Sequence, residues 1–256
     1  MRILAVGDIV GGVGLRKLKE LLPKIKKENN IDFVIVNGEN VAGGMGITEK
    51  DFNTILDAGA NVVTLGNHTW AKKDVFSFID NEKLIRPANY PKGVLGHGYG
   101  VYNFNGKKIA VISLIGRTNI NILSENPFLE ANNIIEKIKK DVDYIIVDFH
   151  AEATAEKIAM GYYLDGKINI LFGTHTHIQT ADERILPNGT AYITDIGMTG
   201  PKNSVIGMDI EASLKRFLTT LPERYKIAES EAIFNGCIFE INEDKSRIEK
   251  ITRINV

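Results

Sequence analysis

Short apolar runs alternate with longer amphipathic segments along the chain. RILAVG (2–7), DFVIVNG (32–38) and ANVVTLG (60–66) are rich in Val, Ile and Leu and read as buried strands. Between them, Leu15–Asn29 and Thr48–Ala58 carry apolar residues at helical spacing. Thr48 opens TEKD, an N-cap followed by acidic residues in the first turn. This β-α-β-α-β rhythm predicts a parallel sheet with right-handed crossovers. Further on, 98–116 reads as two strands joined by a turn at Asn105-Gly106. A helix over Phe128–Lys140 follows, entered by Pro127. Strand 143–150, a helix near 153–164 and strands within 167–177 and 189–197 come next, and two late strands lie around 231–241 and 247–254. With no internal repeat, low-complexity tract or Pro/Ser linker, the expectation is an α/β protein forming one domain over 1–256.

What ends each strand carries the chemistry. The ends are Gly7-Asp8, Gly38-Glu39-Asn40, Gly66-Asn67-His68, Asp148-Phe149-His150 and Gly173-Thr174-His175-Thr176-His177. In open α/β sheets the carboxyl edge of the strands is the ligand-binding edge, so these side chains would converge on one cleft. Four of the five histidines belong to the set; His97, in LGHGYG, reads as a loop position. Singly, each piece has a structural alternative. Asp8 could shape a turn, Asn40 could bond its own loop backbone, and His150 could be a satisfied core histidine. His175 and His177 are i and i+2, which in an extended segment project to one side, as two metal ligands need. Five such strand ends together point to a site. GDIVGGVG lacks the G-x-G-x-x-G spacing, and no ribose-binding acid ends the second strand, so a dinucleotide fold is disfavoured.

Composition narrows the setting. The 256 residues are 44% hydrophobic and 25% charged, with a formal net charge of −1 at pH 7. That balance points to no long nucleic acid and no membrane surface as partner. The single cysteine, Cys237, excludes an internal disulfide, sits in an apolar strand and fits a reducing cytoplasm. No stretch approaches a membrane span.

Carboxylate, amide oxygen and imidazole nitrogen together suit Mn, Fe, Zn or Mg. Asp8, Glu39, Asn40, Asn67, His150, His175 and His177 are too many for one ion and fit two, with one carboxylate bridging. Two such ions clamp a phosphoryl group and lower the pKa of bound water. A histidine near them but not on them could then protonate the leaving oxygen.

At this point the motifs GDIV, GENVAGG, GNHTW, DFH and GTHTH resemble those of the calcineurin-like metallophosphoesterase superfamily. GENVAGGMGIT, GTHTHIQTADERIL and TDIGMTGPKNSVIGM resemble its YmdB-like branch, over nearly the whole chain. The resemblance implies a two-sheet β-sandwich flanked by helices. It implies a bacterial phosphodiesterase acting on cyclic nucleotides, chiefly opening 2′,3′-cyclic nucleotides to nucleoside 3′-phosphates. In that pattern Glu39 bridges two ions. Asp8, Asn40 and His177 complete one site; Asn67, His150 and His175 complete the other. His68 matches the proton donor.

Two positions depart from the wider superfamily. Val10 replaces the histidine of the first D-x-H motif, and Glu39 replaces the usual bridging Asp. Asn40 is then expected to supply an amide oxygen for the lost imidazole. One oxygen-rich and one nitrogen-rich site favour Fe or Mn, with Zn or Mg open. The alternatives are a phosphomonoesterase or nuclease on the same centre, or a nucleotide-sensing regulator with little turnover. A homo-oligomer is left open. Trp70 could stack on a base or simply pack. Glu152, Thr154 and Arg117 could approach the substrate, but capping and surface pairing explain them equally, and they carry no assigned role.

Overall fold

The computed structural model describes residues 1–224, 226–243 and 247–256. The first strands form where the apolar runs predict them: β1 (Arg2–Val6), a short β2 (Asp8–Ile9), β3 (Phe33–Asn37), β4 (Val62–Thr64) and β5 (Leu84–Ile85). β1, β3, β4 and β5 pair in parallel in that order. These runs are largely apolar because both faces are covered, with polar residues such as Asn37 and Thr64 only at their ends. On β1, Ile3 and Ala5 face one apolar layer, and Leu4 and Val6 the layer on the opposite side.

A second sheet holds β6 (Tyr99–Phe104), β7 (Lys107–Ile115), β8 (Tyr144–His150), β9 (Ile170–Thr174), β10 (Arg184–Ile185) and β11 (Ala191–Ile193), in the order β10-β11-β9-β8-β7-β6. The β6–β7 turn is the predicted one, with Asn105 at φ 48° and Gly106 at φ 78°, the left-handed pair that a two-residue hairpin needs. Strand β12 (Met198–Pro201) joins β2 and β13 (Ala232–Ile233) in a small third sheet. The late strands β14 (Asn235–Asn242) and β15 (Arg247–Asn255) complete the first sheet antiparallel, β14 lying directly beside β1.

The two large sheets share an apolar layer that includes Ala5, Ile35, Val111, Ile146, Phe172 and Phe239. Helices α1 (Gly11–Glu28) and α2 (Glu49–Asp57) cover the outer face of the first sheet; α3 (Pro127–Ile138) and α4 (Thr154–Leu164) cover that of the second. The result is the helix-flanked two-sheet sandwich that the resemblance implied. Thr48 caps α2 as predicted, its Oγ1 accepting the Asp51 N–H at 3.2 Å. α1 starts at Gly11, earlier than the predicted Leu15. The reason is packing: a Cβ at Gly14 would overlap the backbone of Thr199, so the glycine lets the first turn of α1 lie on β12. Helix α5 (Ile210–Thr219), capped by Asp209, lies in a segment the hydrophobic pattern left unread. Among the described residues, no helix is long and apolar enough to cross a membrane.

Candidate metal centre

The carboxyl ends of both large sheets meet at one edge. Glu39, Asn40 and Asn67 arrive there from the first sheet, Asp8 from β2 of the small third sheet just past β1, and His150, His175 and His177 from the second. Each placement has a local cause. A Cβ at Gly7 would overlap the Gly197 carbonyl, so the chain turns there and enters β2 with Asp8 fully buried. Asn37 at the end of β3 accepts the Glu39 N–H on its side-chain oxygen at 3.2 Å, shaping the turn that carries Glu39.

His150 Nε2 is the focus. It lies 2.8 Å from Asn67 Oδ1, 2.9 Å from Glu39 Oε1 and 3.0 Å from His175 Nδ1. A ring nitrogen carries at most one proton, so it cannot serve three acceptors. Donor atoms gathered this closely are spaced as ligands of one ion, and Glu39, His150 and His175 form a cluster that could hold a metal. The orientation of His150 is set behind it. Thr174 donates its hydroxyl to Asp148 Oδ1 at 2.7 Å, so its oxygen accepts from His150 Nδ1 at 2.9 Å. Asp148 is in turn held by Thr64 at 2.5 Å and Asn37 at 3.1 Å. Such a backing network fixes the tautomer that turns Nε2 toward a metal.

The neighbouring atoms have unmet valence. Asp8 Oδ2 accepts the His175 N–H at 3.2 Å, while its buried Oδ1 has no hydrogen-bond partner among the described residues. Asn40 donates Nδ2 to the Gly44 carbonyl at 2.9 Å, which leaves its buried Oδ1 without a partner as well. His177 donates Nδ1 to the Ile206 carbonyl at 2.8 Å, and its ring lines the cavity shared with Glu39, Asn40 and His175. Buried oxygens without donors are costly unless a cation meets them. The residues therefore fit a metal group, which the bare Asn40 oxygen could join as an amide-oxygen ligand.

Charge within the cluster follows the same logic. Burial, opposed by His177 and His150, pushes Asp8 up to about 6. Burial would raise Glu39 too, but His150 and His68 bring it down to about 2. Burial would lower His150, but Glu39 and Asp8 hold it at about 9. Burial and the neighbouring His150 take His175 down to about 3.

His68 diverges from its neighbour. Its backbone N–H donates to Glu39 Oε2 at 2.9 Å, and the half-buried residue lines the cavity beside the cluster. One expectation about geometry is corrected. β9 ends at Thr174, and His175 and His177 sit in a turn with φ of 95° and 65°, not in an extended segment. Strand alternation is not what brings these two imidazoles to the site; a strained turn is.

That turn rests on side chains the sequence reading passed over. Lys157 of α4 and Asp195, just past β11, are both fully buried, with Nζ 2.7 Å from Oδ2. Lys157 also donates to the Thr174 carbonyl at 2.8 Å. Asp195 Oδ2 accepts from the Thr176 N–H at 3.1 Å and its hydroxyl at 2.7 Å. Asp195 ends a strand in TDIG, the same signal that singled out the others. Glu152 lies 3.1 Å from His175 Nε2. Trp70 packs, stacked on Phe76 at 5.5 Å and tilted against Tyr90 at 5.9 Å. Arg117 lines a separate depression, and the exposed His97 bonds the Asp80 carbonyl in a loop.

The YmdB-like protein family matches residues 4–254. The chain belongs to the YmdB-like family. A relative from Bacillus subtilis (strain 168), named 2′,3′-cyclic-nucleotide 2′-phosphodiesterase, is 49% identical over 255 residues, covering 99% of this chain and 96% of that protein. A crystal structure described as a novel phosphatase from Mycoplasma pneumoniae superposes with a TM-score of 0.95 at 37% identity, covering 100% of this chain and 93% of the other. The NAD nucleotidase of Haemophilus influenzae shares the fold of this YmdB-like chain, with a TM-score of 0.61 at 15% identity over 100% of this chain and 55% of that one.

Proposed function

We propose that this YmdB-like chain is a dinuclear-metal phosphodiesterase that opens 2′,3′-cyclic nucleotides to nucleoside 3′-phosphates. The observation that carries the reading is the convergence of Asn67, Glu39 and His175 on His150 Nε2, next to the bare oxygens of Asp8 and Asn40. The name of the Bacillus subtilis relative supports the substrate class. Glu39 would bridge two ions; Asp8, Asn40 and His177 would hold one, and Asn67, His150 and His175 the other. Bound there, the pair supplies Lewis acidity to the phosphoryl group and lowers the pKa of water. The mixed oxygen and nitrogen donors favour Fe or Mn.

The chain's own groups do the rest. His68, facing the cavity while Asn67 turns into the cluster, donates the proton that the leaving 2′ oxygen needs. Burial lowers its pKa, which makes its imidazolium a readier donor. The backbone N–H of His68 bonded to Glu39 fixes the donor relative to the bridge. The lone buried Cys237 supports a cytoplasmic setting.

Protein loaded with Mn is expected to convert 2′,3′-cyclic AMP to 3′-AMP, and Glu39→Gln to abolish this. Full turnover by Glu39→Gln would remove Glu39 as the bridge. The phosphatase description of the Mycoplasma pneumoniae structure favours one second reading, a phosphomonoesterase. Faster turnover of 3′-AMP than of the cyclic diester would decide for it.

A further inference from the structure

We propose that the α5 side of the cavity is a nucleobase subsite, with Phe217 as its stacking face. The inference rests on the phosphodiesterase reading and names where the substrate's non-reacting end sits. The cavity encloses about 490 Å³, within the range of small-ligand pockets. At one end it is lined by Glu39, Asn40, His68, His175 and His177, where the phosphoryl group belongs. At the other it is lined by the loop residues Val205, Ile206 and Met208 and by one face of α5.

That face is defined by helical spacing. Ala212, Ser213, Arg216 and Phe217 recur at i, i+1, i+4 and i+5, so they share one side of the helix. Phe217 is 77% exposed although it borders the cavity. A phenyl ring left this bare contributes little to the core and is available to stack on whatever fills the cleft. Val205, Ile206, Met208 and Ala212 add an apolar floor, which suits a flat base more than a sugar or a second phosphate. Arg216 and Arg224 line the same end beside Glu223, whose carboxylate is paired with Lys215; among the described residues neither guanidinium has an ion-pair partner. They complement an anionic substrate and can themselves stack on a base.

A second observation ties this end to the catalytic end. Ile206 has φ 48°, a left-handed conformation that a β-branched residue rarely adopts. In that conformation its carbonyl accepts from His177 Nδ1 at 2.8 Å while the residue lines the cavity. The strain holds the floor of the subsite and the imidazole of His177 in one fixed relation. Because stacking reads a π-face and not a hydrogen-bond pattern, the subsite selects for the presence of a base more than for which base.

The test compares 2′,3′-cyclic AMP with the base-free methyl riboside 2,3-cyclic phosphate on the Mn-loaded protein. The ratio of their kcat/KM values reads the subsite. In Phe217→Ala the ratio is expected to fall by about tenfold, mainly through KM for the nucleotide, the scale of one stacked base. Phe217→Trp should keep the ratio, and the four 2′,3′-cyclic nucleotides should differ only a few-fold. An unchanged ratio in a folded Phe217→Ala, or a wild-type ratio near one, overturns the subsite. If wild type turns over neither substrate, the phosphodiesterase reading fails instead. Calorimetric binding of 3′-AMP then reads the subsite by itself: tenfold weaker binding by Phe217→Ala supports it, and equal binding overturns it.

Discussion

The bare α-carbon of Gly66 lies against the imidazole of His150, so closely that a Cβ at residue 66 would overlap the ring. The glycine ends the strand of one sheet and the histidine that of the other, and their contact sets how near the two carboxyl edges approach. Gly66→Ala must push His150 off Asn67 and Glu39. The expected cost is ~1–3 kcal/mol of stability, typical of overpacking. Loss of metal and of activity should be out of proportion to that cost. Metal content by elemental analysis beside a thermal melt checks it; a variant with a full metal complement would refute the account.

Lys157 and Asp195 form a buried pair that carries the turn from Thr174 to His177. Lys157→Met leaves a buried carboxylate with one donor fewer, and breaking such pairs costs about 3–5 kcal/mol. The expected variant melts earlier and binds metal more weakly, because Thr176 and the flanking histidines lose their support. Denaturant titration with and without Mn measures both effects. An unchanged midpoint would make the pair dispensable.

Metal uptake should release protons. In the metal-free protein His150 is held at about 9 by Glu39 and Asp8, and Asp8 is pushed up to about 6 by burial. A raised pKa means the folded, metal-free state keeps its proton as pH rises toward that value, so metal must displace it. Near neutral pH about one proton, from His150, is expected to leave on binding, and a second, from Asp8, below pH about 6. Affinity therefore weakens as pH falls, most steeply under about 6. Calorimetry in buffers of different ionisation enthalpy counts the protons; release of none would contradict the cluster electrostatics.

Cys237 faces the layer between the sheets, fully buried, and burial drives its thiol far above the ordinary range. The thiolate is the reactive form, so native protein should not react with a thiol reagent, whereas denatured protein should react at once. Fast labelling of the native state would mean that the two sheets part readily.

Much of this was legible in the chain itself. Alternation of apolar runs with amphipathic segments located β1, β3, β4, β7, β8 and β14, because a strand covered on both faces is mostly apolar, with polar residues such as Asn37, Thr64 and His150 at its carboxyl end. The strand-end rule then collected Asp8, Glu39, Asn40, Asn67, His150, His175 and His177, and the structure brings all of them to one edge. What periodicity could not carry was the turn at His175 and His177, whose positive φ is imposed by Asp195 and Lys157 from distant segments. α5 was equally opaque. Ile210, Leu214, Phe217 and Leu218 recur at helical spacing, but all four are exposed and only Ser213 of the helix is buried, so this apolar stripe does not mark a core-facing element.

β1 pairs on one side with β3 and on the other with β14, which follows both far later in the sequence. As the polypeptide leaves the ribosome, Glu39, Asn40 and Asn67 therefore emerge well before the strand that completes their own sheet, Asp8 well before its partner strand β12, and all four before the three histidines opposite. A partly made chain offers an incoming cation only scattered oxygens, which hold it weakly. A cation would thereby be chosen only after β14 has closed the first sheet against β1, when competing ions meet a closed and already shaped set of donors.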